Sequence, residues 1–114
     1  MADWTFLTNH FHVLYCLARE PGLRLVEIAD RVGIRERAAH RIVSELEENG
    51  YLTRHRLGSR NYYELHADVP LRHSLEGHVD VGELLSLMLG RRRLAEITAA
   101  RLTEPSQVTE PSQL

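Results

Sequence analysis

The 114-residue chain contains no lysine and a single cysteine, Cys16. One thiol makes neither an internal disulfide nor a thiol-pair zinc site. No apolar run approaches the roughly 20 residues that span a bilayer. The opening MADWTFLTNH lacks the positive segment and long apolar stretch of a signal peptide. A cytoplasmic protein with no membrane partner is therefore expected. There is also no Gly-rich phosphate loop, no nucleophile elbow and no paired-carboxylate constellation, so neither an enzyme nor a cofactor is expected. The net charge of −2 lacks the strong positive balance that marks many nucleic-acid binders. The length suits one domain with one modest core.

The distribution of charge says more than the sum. Between Arg31 and Arg60 stand seven arginines (31, 35, 37, 41, 54, 56, 60) and four glutamates (36, 45, 47, 48), a local excess of three. Every basic residue is arginine, whose guanidinium can grip phosphate or guanine bidentately where an ammonium cannot.

The same region has a regular hydrophobic pattern. Thr8 is placed to cap a first helix reaching about Glu20, with Phe11, Leu14, Tyr15 and Ala18 on its buried face. Pro21-Gly22 ends it, and Leu23-Arg24-Leu25 has the makings of a short strand beside a later hairpin. A second helix is predicted from about Val26 to Val32, with Ile28, Ala29 and Val32 inward. Gly33 supplies the left-handed backbone of a sharp turn. A third helix follows from Glu36 to about Asn49, with Ala39, Ile42, Val43 and Leu46 inside. Arg37, His40, Arg41, Ser44 and Glu45 lie outside. Two strand-like runs, Leu52 to Arg56 and Asn61 to Leu65, flank Gly58-Ser59. Two short helices crossing at a tight turn, followed by a basic hairpin, make a winged helix, whose second helix of the pair is built to enter the DNA major groove.

Beyond the hairpin, Pro70 and Gly77 predict an irregular connection over Asp68 to His78. Asp80-Val81-Gly82-Glu83 has the form of a capping box before a helix bearing Val81, Leu84, Leu85 and Met88. Gly90 is a candidate interruption, at about 1 kcal/mol relative to alanine; Leu94, Ile97 and Leu102 could extend the apolar side. TEPSQ then occurs twice, at residues 103–107 and 109–113, in a polar, proline-containing tail. The expected organisation is a winged helix-turn-helix domain over residues 1–66, a connection and dimerising C-terminal helix over 67–102, and a flexible tail over 103–114. The fold class is mainly α with a small β-hairpin.

The run IADRVGIRERAAHRIVSELEENGYL, with RHRLGSRNYYEL after it, resembles bacterial winged helix-turn-helix transcriptional regulators of the MarR and ArsR types. The resemblance covers about a third of the chain, Leu25 to Leu65. It implies that the third helix enters the major groove of double-stranded DNA and that the wing touches the backbone or minor groove. Carried onto this sequence, the groove-facing residues are Arg35, Glu36, Arg37, His40, Arg41 and Ser44, and the wing residues are Arg54, Arg56 and Arg60. It further implies a homodimer; it identifies no effector. The chain departs from the family in opening the third helix with Arg35, where serine or threonine is usual. Its glutamates on or near that helix repel phosphate, although Glu36 could accept from a cytosine amino group.

Other readings compete. Arg37 and Arg41 are four apart and share one helix face, which could be a solvated face paired to nearby glutamates. The basic wing directly after it favours DNA. Of the seven histidines, His10 and His12 are two apart, and His73 and His78 five apart, spacings that do not suit a helical metal site. Cys16 reads as a small packed residue. A winged helix can also serve as a protein-interaction module without binding DNA, but an arginine-rich wing would then need an acidic partner. RNA binding lacks an aromatic stacking platform.

Overall fold

A computed structural model of the protein describes residues 4–90. The expectations for Leu94, Ile97, Leu102 and the TEPSQ repeat lie outside the described residues. The element order is α1 (Asn9–Arg19), α2 (Leu25–Val32), α3 (Glu36–Glu48), β1 (Leu52–Leu57), β2 (Arg60–Leu65) and α4 (Val81–Leu89). This is the expected winged helix-turn-helix with a helix after the wing.

The first helix begins where the sequence places it. The Thr8 hydroxyl accepts from the Phe11 N–H at 3.3 Å, satisfying one of the free amides of the first turn. The buried face is broader than the predicted stripe: Val13 and Leu17 are fully buried beside Phe11, Leu14 and Ala18, while Tyr15 is half-buried. The reason is tertiary, because α2, α3, β2 and α4 all pack on α1. Each large aliphatic side chain buried here contributes about 1.5–3 kcal/mol.

The residues Leu23-Arg24-Leu25 do not form the expected strand. Leu25 already belongs to α2, and the Glu27 carboxylate accepts from the Arg24 N–H at 2.8 Å, closing that helix start. The wing finds its backbone partner one step earlier, where the Tyr63 N–H donates to the Pro21 carbonyl at 3.0 Å. Ile28 and Ala29 anchor α2 in the core, with Val32 partly buried against it. At the turn Gly33 has φ 86° and its N–H donates to the Ala29 carbonyl, a left-handed cap that glycine adopts without steric cost. Ala39, Ile42, Val43 and Leu46 of α3 are all buried, as the period predicts.

The hairpin pairs Leu52 with Leu65 and Leu57 with Arg60 around the two-residue turn Gly58-Ser59. Side chains alternate across such a ladder. One face carries Leu52, Arg54 and Arg56 with Asn61, Tyr63 and Leu65; the other carries Thr53, His55 and Leu57 with Arg60, Tyr62 and Glu64. Tyr51, Leu52, Tyr63 and Leu65 join the core.

The irregular connection after the wing is held by backbone bonds from Leu71 N–H to the Val79 carbonyl and from Val81 N–H to the Val69 carbonyl. The Tyr51 hydroxyl donates to the Pro70 carbonyl at 2.6 Å. The Glu83 carboxylate accepts from the Asp80 N–H at 2.9 Å, one half of the predicted box. Val81 and Leu85 of α4 enter the common core, whereas Leu84 is only partly buried and Met88 is exposed. Gly90 is the C-cap of α4, and its expected role as an interruption depends on residues outside the described ones. Gly82 packs so closely on the end of the wing that a Cβ would stand 2.7 Å from both the Cβ and the carbonyl oxygen of Ala67.

Candidate nucleic-acid interface

Arg35 occupies the N-cap position of α3 in an extended conformation, and its side chain makes no cap hydrogen bond. The cap usual for the resembled family is therefore lost. Glu36 lies in the first turn, where a carboxylate complements the positive end of the helix dipole. Arg37, His40 and Arg41 are exposed on the outer face, while Ser44 is half-buried. Among the described residues, the side chains of Arg35, Glu36, Arg37, His40 and Ser44 make no hydrogen bond or ion pair.

Arg41 differs from these. Its Nη1 lies 3.4 Å from both oxygens of Glu45. Glu45 in turn receives His10 of α1, with Nε2 to Oε1 at 2.6 Å. The hydrogen bond from His10 holds the Glu45 carboxyl below the usual carboxylate range; partial desolvation opposes the shift, and the Arg41 charge adds to it. No local pattern signals this link, because the residues are 35 apart and meet only when α1 packs on α3.

The three wing arginines, grouped by the sequence, are divided by the structure. Arg54 and Arg56 share the face of Tyr63, and Arg60 lies on the opposite face. Each is engaged within the protein. Arg54 Nη2 donates to Glu47 Oε1 at 3.1 Å, Arg56 Nε to the Gly58 carbonyl at 3.1 Å, and Arg60 Nη2 to the Gly22 carbonyl at 2.7 Å. The Arg60 face also presents His55 stacked on Tyr62, with ring centroids 5.1 Å apart, and His55 Nε2 is 3.0 Å from Glu64 Oε1. Leu57, at the tip, is 69% exposed. Burial pushes the Tyr63 and Tyr51 phenols up from their ordinary value.

Elsewhere, an open cleft between α1 and α4 is lined by Tyr15, Arg19, Glu20, Met88 and Leu89, with the Arg19 guanidinium 5.8 Å from the centre of the Tyr15 ring. Cys16 is half-buried, and desolvation raises its thiol, with Arg31 and Arg19 pulling the other way. That environment disfavours the thiolate needed for redox reactivity. Among the described residues no helix is long and apolar enough to cross a membrane.

Residues 8–59, from the cap of α1 to the tip of the wing, match the model of the MarR family. No curated protein matches the chain. Among solved structures, the chain is similar to the PcaV transcriptional regulator of Streptomyces coelicolor in complex with its natural ligand, at 25% identity and a TM-score of 0.50. That likeness covers 89% of this chain but only 63% of PcaV, so the chain spans less than two thirds of that regulator's length. It also resembles the MarR family protein Rv2887 of Mycobacterium tuberculosis in complex with salicylic acid, at 23% identity and a TM-score of 0.48, over 89% of this chain and 70% of the other. The family match runs through all three core helices and into the wing, and the chain is a winged helix-turn-helix protein similar over that stretch to the MarR family.

Proposed function

We propose that the protein is a cytoplasmic, sequence-specific regulator of transcription that binds double-stranded DNA as a homodimer and carries no enzymatic activity. Helix α3 enters the major groove and the wing lies on the backbone or in the minor groove. The carrying observation is the outer face of α3. Among the described residues, the side chains of Arg35, Arg37 and His40 there make no hydrogen bond or ion pair, and an arginine-bearing hairpin lies beside them. Cations that a fold leaves unpaired on a helix of this kind meet phosphate and base edges without first breaking an internal bond. Arg37 reads guanine, Glu36 is a candidate acceptor from cytosine, and Ser44, half-buried, reaches DNA only where the groove wall closes on it.

The DNA-binding unit is taken to cover residues 1–66 and the dimerising part 67–102. Leu87, 81% exposed, and Met88, 49% exposed, leave apolar surface on α4 after Val81 and Leu85 have entered the core. A single wing and helix cover few base pairs, which is why such units commonly pair across a two-fold axis.

Titration of a labelled duplex at increasing salt tests the reading. A dimer neutralising about six phosphates should lose affinity with a slope of log K against log salt near −5. Binding insensitive to salt, or none at low salt, would refute it. A winged helix used only to bind another protein would give that second outcome. Light scattering tests the assembly: a monomer well above the DNA-binding constant would refute the homodimer.

A further inference from the structure

We propose that His10 is a positioning residue for helix α3: through the Glu45 carboxylate it sets how firmly Arg41 is held on the protein, and duplex-DNA affinity rises as His10 gains a proton. This rests on the DNA-binding reading above.

The three groups form a chain across two helices. His10 Nε2 and Arg41 Nη1 converge on the same atom, Glu45 Oε1, at 2.6 and 3.4 Å. The short contact belongs to the histidine and the long one to the arginine. Glu45 is faced by His10 from α1 and by Arg41 from its own helix. The side chains of His10, Arg41 and Glu45 are 43%, 60% and 42% exposed. Protons, salt and a polyanion can all reach them, and none is part of the apolar core.

The charge count gives the direction. With a neutral imidazole the cluster sums to zero, since Arg41 and Glu45 cancel. With a charged imidazole it sums to +1. The His10–Glu45 contact, already a hydrogen bond to an ionised carboxylate, then becomes an ion pair and strengthens further. More of the carboxylate's negative charge is committed to His10, and Arg41 is released toward phosphate. Imidazoles ordinarily change charge near pH 6.5, which sets the range over which the test is run. If the pair were merely a staple between α1 and α3, it would affect folding stability and leave the pH profile of DNA affinity unchanged.

The test uses the full chain and a labelled duplex of mixed sequence at low salt, between about pH 8 and about pH 5.5. Any contribution of the other six histidines is common to both proteins, so the quantity read is the difference between wild type and His10→Gln. Wild type should gain about two- to fivefold more affinity over that range, the scale of one exposed ion pair. The extra gain should vanish in Glu45→Gln, which cuts the link from the other side and guards against misfolding of one variant. It should vanish also in Arg41→Ala. Followed by carbon NMR, the Glu45 carboxyl should titrate lower in wild type than in His10→Gln. Parallel pH profiles with DNA binding intact, or an unchanged Glu45 titration, would overturn the inference and leave the DNA-binding reading standing. Failure of wild type to bind the duplex at any pH would overturn both.

Discussion

The arginines at the start of α3 and those of the hairpin stand in opposite states, with Arg41, a turn further along α3 and held by Glu45, between them. At the start of α3, the side chains of Arg35 and Arg37 make no hydrogen bond or ion pair among the described residues. On the hairpin, Arg54, Arg56 and Arg60 are each tied to a carboxylate or a carbonyl. Counting arginines treats these positions as equal, and the geometry does not. A free guanidinium approaches DNA with its full charge and all its donors. A tied one must exchange an internal partner for an external one, and only the difference contributes to binding. For Arg54 that difference is smallest, because Glu47 already neutralises it.

The contrast orders the expected effects. Arg37→Ala should be the most damaging, reducing discrimination between a cognate and a scrambled duplex by about 1–3 kcal/mol if the side chain grips guanine bidentately. Competition binding measures it, and an equal loss on both duplexes would remove Arg37 from base reading. Arg60→Ala should come next. It should weaken both duplexes alike and reduce the salt slope by about 0.9, since phosphate carries no sequence information. It should also loosen the wing: the Tyr63 amide, which donates to Pro21, should exchange faster with deuterium. Unchanged exchange would show that the Gly22 contact does not anchor the hairpin. Arg54→Ala should have the smallest effect, below about 0.5 kcal/mol, whereas Glu47→Gln should raise affinity by freeing Arg54. Should Arg54→Ala prove as costly as Arg37→Ala, the distinction between free and tied arginines would collapse.

Local signals were readable in advance wherever one element carries its own instructions. Thr8 announced the start of α1, the spacing of Ala39, Ile42, Val43 and Leu46 announced the inward face of α3, and Gly58-Ser59 announced the turn. What escaped was decided by neighbours distant in sequence. Val13 and Leu17 are buried because α1 is surrounded by four elements, not because of its own period. The segment Leu23 to Leu25 looks apolar enough for a strand, yet Glu27 closes the start of α2 across it. The candidate interface divided the same way. The exposed face of α3 followed from periodicity, while the contacts of His10 with Glu45 and of Arg60 with Gly22 span 35 and 38 residues. No spacing rule reaches so far.

Gly82 has a mechanical consequence. The first turn of α4 lies on Ala67 with no side chain but the Ala67 methyl at the contact, and the Gly82 N–H donates to the Ala67 carbonyl at 2.9 Å. Ala67 is two residues past the end of β2. Packed backbone has no rotamer with which to absorb a displacement, unlike a cushion of leucine or methionine side chains. A displacement at the start of α4 should therefore reach the end of β2 with little loss, and one at the hairpin should return along the same path.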